Sequence, residues 1–299
     1  MDPITLILGA VVILGLAFGS FLNVCIYRMP RGLSVVAPRS ACPNCKTPIA
    51  AYDNFPVLSW ILLGGKCRKC KTPITPRYAI VELLNTALFV ACVLMFSSPP
   101  EALKYMTFSF ILLGLIFTDC ENRILPDLLT LPGFFLGLVF SGLVPVNGFL
   151  GTYFAGAWSW RLLSLGDALL GAVLGAGFIW AVGELYFRLR GVQGMGFGDV
   201  KLLLMIGAFL GPRLTLFTIC ASSVSAAVIG ILMFPPILFR RRKALSLRRR
   251  FADQKERRQE AYQSAMRCMR LPFGSFLGAA ALFAAFYGER AINWYLGFF

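Results

Sequence analysis

The fold is decided first by Ile4–Tyr27, ITLILGAVVILGLAFGSFLNVCIY, a run of 24 residues without a charged side chain. About 20 mostly apolar residues suffice for a helix to cross a bilayer. Basic residues follow this run rather than precede it, which does not fit a cleaved signal peptide. We therefore predict that residues 1–27 form a retained first transmembrane helix.

Composition extends this prediction to the whole chain. Hydrophobic residues make up 58% of the 299 residues and charged residues only 14%, with a mean hydropathy of +0.72. Soluble domains carry about 25% charged residues, so the bilayer is the expected solvent. We predict an all-α polytopic membrane protein with about eight transmembrane helices, at 4–27, 79–97, 104–119, 128–146, 165–187, 199–211, 214–236 and 272–288.

The positive charge gives the orientation. Of the 29 Lys and Arg residues, these spans put 25 on one side, in segments 28–78, 120–127, 188–198 and 237–271 or just beyond them. The positive-inside rule makes that side cytoplasmic, so the net charge of +15 indicates membrane topology rather than nucleic-acid binding. Residues 79–299 form the predicted transmembrane core, whose basic loop 237–271 is expected to rest against anionic lipid.

Four of the nine cysteines form two C-x-x-C pairs, Cys42 with Cys45 and Cys67 with Cys70. Four thiolates at this spacing are typical of a closed, structural zinc site. Two disulfides are an alternative that a reducing cytoplasm disfavours, and a redox C-x-x-C is another. We predict that Zn²⁺ folds residues 28–78, a segment too small to bury a sizeable core.

The chain contains no histidine, which excludes serine and cysteine triads and H-E-x-x-H hydrolysis. Acid–base chemistry then depends chiefly on carboxylates. Asp119 ends an apolar run, and Asp199 follows a glycine-rich stretch and opens the next one, so both are expected at cytoplasmic helix ends. Helix-end carboxylates are also common as ion-pair partners or caps, with Arg123 available to Asp119 and an N-cap role to Asp199.

The other membrane-associated carboxylates have simpler interpretations. Asp127, after Pro126, is expected to cap a helix or support a neighbouring group. Glu82 is expected to form a salt bridge with Arg77, or else to contact a substrate or cofactor. Asp167 and Glu184 are expected to pair between helices.

Taken in order along the chain, the motifs resemble those of the type IV prepilin peptidases, which are GxGD membrane aspartyl proteases. The resemblance rests on both cysteine pairs and on Gly19–Val24 with Tyr27 and Arg28, Asp53–Trp60, Arg77 and Tyr78 with Val81–Leu84, Asp119–Asp127, Gly196–Lys201 and Leu271–Gly274. A lone G-x-G-D would be weak, but the ordered set covers nearly the whole chain.

This resemblance implies that Asp119 and Asp199 are the catalytic pair. It also implies that the chain cleaves the basic leader of prepilins and pseudopilins after a Gly, at the cytoplasmic face of a bacterial inner membrane. Family members with four loop cysteines also N-methylate the new N-terminus with S-adenosylmethionine, which implies a methyltransferase part in residues 28–78. No nucleotide-binding fingerprint is visible there, so Glu82 is the candidate contact for that cofactor. The basic loop 237–271 is long for this family and could contact the pilus or secretion machinery.

Two other classes remain open at this point. A proton-coupled transporter could use paired intramembrane carboxylates, although it has no need of a zinc loop, and no inverted repeat is apparent. A membrane assembly factor could use the zinc loop only for docking, in which case both aspartates would tolerate replacement.

Overall fold

The structure is a computed structural model and describes residues 2–42, 44–53, 55–146, 148–154, 159–191, 196–250 and 272–298, without the side chains at 3, 51 and 233–250. Over these residues the chain is helical, and the only β contacts are isolated bridges. The predicted all-α fold is therefore confirmed for the described part of the chain.

Prolines and glycines mark several helix ends. Pro3 and Pro99 lie in the first turns of their helices, where the missing N–H has no intrahelical partner to lose. Gly191 ends a long helix in the left-handed conformation, with φ 67°. The described α-helices are α1 (Pro3–Arg28), α2 (Leu58–Leu62), α3 (Arg77–Met95), α4 (Pro99–Asn122), α5 (Asp127–Ser141), α6 (Phe149–Tyr153), α7 (Trp160–Arg190), α8 (Phe197–Arg250) and α9 (Phe273–Leu296).

Helix α8 is interrupted at Gly211, whose φ of 75° and ψ of 179° are not helical. A Cβ placed on Gly175 of α7 would come within 4 Å of both Leu203 and Thr215. In a straight helix these two residues would be about 18 Å apart. The chain therefore folds back at Gly211 and Pro212, which gives the separate helical segments predicted over 199–211 and 214–236.

Five helical stretches of the described residues are long and apolar enough to cross a membrane: Ile4–Arg31, Arg77–Met95, Pro99–Asn122, Trp160–Arg190 and Phe197–Leu232. Asp127–Ser141 is apolar but shorter, and Phe273–Leu296 is not among them. This criterion counts α8 as one helix despite its fold-back, so the number of eight spans stays a prediction.

The first part of the predicted basic loop 237–271 is helical, since α8 extends to Arg250. Residues 251–271 lie outside the described part of the chain.

The helix ends that carry the candidate site meet at one end of the bundle. Helix α8 packs against α5, α7 and α9, and α3 packs against α1 and α4. Arg77 at the start of α3 donates to Glu121 near the end of α4 at 2.7 Å. Lys201 in the first turns of α8 lies 2.8 Å from Asp127 at the start of α5. Since residues 29–76 join α1 to α3, the cysteine-containing segment attaches at this same end.

Candidate active site

Asp119 is buried near the end of α4, with 6% of its surface exposed. Its Oδ2 accepts a hydrogen bond from the backbone N–H of Ser275 at 2.7 Å and one from the Ser275 hydroxyl at 2.9 Å. Ser275 lies in the first turn of α9, where N–H groups lack intrahelical partners. The carboxylate is therefore fixed by another helix rather than by Arg123, whose backbone N–H bonds the Asp119 carbonyl oxygen instead.

Two glycines make this arrangement possible. A Cβ on Gly274 would lie 3.1 Å from Asp119 Oδ2 and 3.0 Å from Leu125 Cδ1. A Cβ on Gly198 would lie 3.2 Å from Leu125 Cβ. Leu125 thus packs against the residue beside Ser275 and the residue beside Asp199, so the starts of α8 and α9 converge on the segment after Asp119.

Asp199 is the third residue of α8 and is partly exposed. Its backbone N–H donates to the carbonyl oxygen of Gly196, the residue just before the helix, at 3.1 Å. The predicted first-turn location is thus observed, whereas an N-cap location is not, because the helix begins two residues earlier.

The two aspartates are brought to one region of the bundle, because Leu125 packs against both Gly274 and Gly198, although they are 80 positions apart in the chain. The buried Asp119 and the partly exposed Asp199 therefore lie at the end of the bundle where the cysteine-containing segment attaches. Two carboxylates near each other can divide the work of a general base and a general acid.

Asp127 has a different partner. Both of its carboxylate oxygens lie 2.8 Å from Nζ of Lys201, and both side chains are partly exposed. This ion pair ties the start of α5 to the start of α8, two residues after Asp199. The sequence placed Lys201 in the motif but indicated no role for it.

The four cysteines of the first loop come together as predicted. The Sγ atoms of Cys42, Cys45, Cys67 and Cys70 all lie within 4.8 Å of one another. Cys42 and Cys70 are 3.7 Å apart, and Cys45 and Cys67 are 4.0 Å apart. Zn–S bonds of about 2.3 Å in a tetrahedron put sulfur atoms about 3.8 Å apart. The cluster therefore fits a structural zinc ion better than two disulfides, which would need S–S contacts near 2 Å.

Each cysteine pair lies on a small hairpin of the same construction. Cys42 N–H bonds Thr47 O, and Cys67 N–H bonds Thr72 O. Lys46 and Lys71 adopt matching positive φ angles of 55° and 58°. The two hairpins have the same geometry because the sequence C-x-x-C-K-T-P-I occurs twice. The repeat thus extends four residues beyond each cysteine pair.

Thr72 also supports the metal ligands. Hydrogen bonds with the side chain and backbone of Thr72 lower the pKa of Cys70 to about 5. The thiolate is the form that binds metal.

Glu82 does not pair with Arg77, so that prediction was wrong. Arg77 binds Glu121, whereas Glu82 Oε2 accepts the backbone N–H of Val57 at 2.7 Å. Residues five apart do not face each other on a helix, as those three or four apart do. Glu82 therefore holds the loop between the cysteine pairs against α3.

The remaining membrane carboxylates have local partners. Asp167 is fully buried and accepts the backbone N–H groups of Leu150 and Gly151, at 3.0 Å each. Asp167 on α7 therefore holds the short helix α6 through that helix's backbone N–H groups, so the predicted contact between helices is with backbone rather than with a side chain. Glu184 pairs with Arg188 one turn later on α7, so its predicted pairing between helices was wrong.

The fold and site together define a helical membrane protein with buried and partly exposed carboxylates at one end of its bundle and, beside them, a four-cysteine cluster that fits a metal ion. Comparison with known proteins narrows this class. Residues 13–96 match the bacterial peptidase A24 N-terminal domain, and residues 106–231 match the type IV leader peptidase family. The first match includes all four cysteines, and the second includes both aspartates.

Curated relatives match over most of the chain. A protein of Aeromonas hydrophila and one of Pseudomonas aeruginosa are each 33% identical over 96% of this chain and 92% of their own length. A protein of Myxococcus xanthus is 38% identical over 74% of this chain and 61% of its own length. All three are named prepilin leader peptidase/N-methyltransferase, and no solved structure shows a significant match. The chain belongs to the prepilin leader peptidase/N-methyltransferase family.

Proposed function

We propose that this chain removes the leader peptide from prepilin-type proteins and then N-methylates the new N-terminus. Membership of the family supports both activities. The observation that carries the proposal is the convergence of the segments holding Asp119 and Asp199 around Leu125, next to a four-cysteine cluster at the same end of the bundle.

Asp119 and Asp199 are the proposed catalytic residues. One carboxylate takes a proton from the attacking water while the other gives a proton to the carbonyl oxygen of the scissile bond. Two carboxylates at close range do not both ionise readily, which favours the shared proton that this chemistry needs. Ser275 holds Asp119 by Oδ2, which leaves Oδ1 for water and substrate. Partial exposure of Asp199 gives substrate an approach from the membrane face.

The proposed substrates are prepilins and pseudopilins, with a short basic leader before an apolar helix and cleavage after a Gly, usually before a Phe. The site would face the cytoplasm at the bacterial inner membrane, in support of type IV pili, type II secretion or both. The excess of Lys and Arg in the segments predicted to lie on that side supports this orientation.

Residues 28–78 are the proposed methyltransferase part, with Zn²⁺ as a structural ion held by the four cysteines and S-adenosylmethionine as methyl donor. All four thiolates are used by the metal, so no ligand position remains for catalysis. Glu82 stays the candidate contact for the methyl donor, with its Oε2 already bound to the Val57 backbone N–H.

The test uses the purified chain in lipid nanodiscs with a prepilin-like peptide and S-adenosylmethionine. Mass spectrometry should show cleavage between Gly and Phe and then a methyl group on the new N-terminus. A matched peptide with a bulky residue in place of the Gly should stay intact. The alternative of a proton-coupled transporter has no support from the family matches. Two uncut peptides would contradict the proposed cleavage.

Ser275 supplies the first structural prediction. Ser275→Ala removes one of the two hydrogen bonds to Asp119 Oδ2 and keeps the backbone N–H. We expect kcat for cleavage to fall roughly tenfold to a hundredfold, because a hydrogen bond to a charged group contributes about 1.5–3 kcal/mol. KM should change little, since Ser275 positions Asp119 without taking part in the reaction.

Two variants control this measurement. Ser275→Thr keeps the hydroxyl and should restore most of kcat. Ser222→Ala removes a buried hydroxyl that bonds only within α8 and should leave kcat near wild type. Equal kcat in Ser275→Ala and wild type would show that the Ser275 hydroxyl does not position Asp119 for catalysis.

Asp127 supplies the second prediction. A partly exposed ion pair contributes about 1 kcal/mol or less, so Asp127→Asn should lower cleavage by less than about fivefold. Lys201→Met should have a similar effect, and the double variant should add little to either. Steady-state cleavage of the peptide measures all three. A loss in Asp127→Asn as large as that in Asp199→Asn would mean that Asp127 takes part in the chemistry.

A further inference from the structure

The loop between the two cysteine pairs carries an exposed apolar surface that neither metal binding nor catalysis explains. Five large side chains within 11 positions are each more than 60% exposed. We call them the apolar shelf: Tyr52, Phe55, Leu58, Ile61 and Leu62. Contiguous exposed apolar residues on a small domain mark a surface that contacts a protein or a membrane.

The apolar shelf is held at membrane depth. Val57, in its middle, donates its N–H to Glu82, five residues inside α3 and about 7.5 Å from the helix start. A Cβ on Gly19 of α1 would meet Glu82 Cα at 2.7 Å, and Gly19 is about 13 Å along the helix from Arg28 at its end. The loop that follows α1 therefore returns alongside α1 and α3, so that Val57 lies beside the interior of both helices rather than beyond their ends. Both helices are candidate membrane spans.

Hydrogen bonds hold the described residues of this segment in place. Val57 has φ 59° and ψ −49°, a strained conformation for a β-branched residue, and the Glu82 carboxylate holds its N–H. Trp60 Nε1 donates to Ile74 O at 3.2 Å, and Ser59 Oγ donates to Tyr52 O at 3.4 Å. These bonds fix the backbone of α2 while its large apolar side chains remain uncovered.

The charge around the apolar shelf favours lipid as the contact. Exposed Lys66, Lys69 and Lys71 follow within nine positions, whereas Arg68 is paired with Asp53. Apolar side chains beside a cluster of Lys and Arg are typical of segments that lie in a bilayer interface with anionic lipid.

We propose that the apolar shelf is an interfacial anchor that inserts into the cytoplasmic lipid surface and holds the zinc-binding segment against the membrane. The bond between Val57 and Glu82 sets its depth. A second class of occupant, the apolar helix of a prepilin, would use the same exposed side chains, and the test separates the two.

The test places the photo-crosslinking amino acid benzoylphenylalanine at position 62 of the full-length chain. The chain is reconstituted in nanodiscs of phosphatidylcholine and phosphatidylglycerol and irradiated with and without a prepilin. A matched variant carries the same group at position 69, which is also exposed but basic in the native chain. We expect lipid adducts at position 62, few at position 69, and no change when prepilin is added.

Lipid adducts at position 62 that are no more abundant than at position 69 would overturn the proposal, as would adducts to prepilin in place of lipid. Hydrogen exchange gives a second measurement that needs no substitution. Residues 55–62 should exchange more slowly in nanodiscs than in short-chain detergent, whereas residues 66–73 should exchange equally in both. Neither readout depends on cleavage or methylation, so a failure here leaves the proposed activities untouched.

Discussion

Asp119→Asn and Asp199→Asn should each abolish leader cleavage, with kcat/KM reduced by roughly a thousandfold or more, as expected when a general acid or base is lost. Asn keeps the size of the side chain and can still accept a hydrogen bond. It can therefore keep the bonds from Ser275 at position 119, and the backbone bond between residues 196 and 199 does not involve the side chain. Cleavage of a prepilin-like peptide by the purified variants measures the effect.

The same preparations supply the control. Both variants should still methylate a peptide that already begins at the mature Phe, because the four-cysteine segment is intact, and both should keep their zinc. Cleavage within a few-fold of wild type in either variant would exclude that aspartate from catalysis. The assembly-factor interpretation predicts that outcome for both.

The largest effect on the zinc-binding segment should come from Cys42→Ser combined with Cys70→Ser, whose Sγ atoms are 3.7 Å apart. Elemental analysis should find one zinc per wild-type chain and almost none in this variant, since two remaining thiolates do not close the site. Methylation should be lost, because metal binding and folding of such a small segment are coupled. Cleavage should fall only a few-fold, because both aspartates belong to helices of the core.

Cys220→Ser is the control for this variant, because Cys220 is another free cysteine but lies in α8, away from the cluster. It should keep zinc, methylation and cleavage. A double cysteine variant with full zinc content would show that the four thiolates do not hold the metal. Loss of cleavage equal to that in the aspartate variants would show that the two activities share one structural unit.

The helices could be predicted from the sequence because the bilayer demands long apolar runs. The span predicted at 79–97 corresponds to Arg77–Met95, and the one at 165–187 to Trp160–Arg190. The break between residues 211 and 214 was visible as Gly-Pro, since proline cannot continue a helix and glycine allows the positive φ. The short helix α2 was missed, because five residues are too few to show a period.

The candidate site could be predicted only in part. The cysteine spacing was sufficient to predict the metal cluster, because its ligands come in local pairs. Ser275, in contrast, lies 156 positions from Asp119 and meets it only because α9 packs against α4. Nothing in an apolar helix pattern indicates which distant first turn will reach a given carboxylate. The pairing of Glu82 with Arg77 failed for a local reason, since their spacing puts them on different faces of α3.

One assay tests the central claim, that Asp119 and Asp199 form a single proteolytic centre in the helical core. A full-length prepilin is co-reconstituted in proteoliposomes with wild type, Asp119→Asn, Asp199→Asn or Asp127→Asn, and the products are followed by intact mass. A single centre formed by both aspartates predicts leader removal by wild type and by Asp127→Asn, and an uncut prepilin with either of the other two. Leader removal by Asp119→Asn or by Asp199→Asn would contradict it.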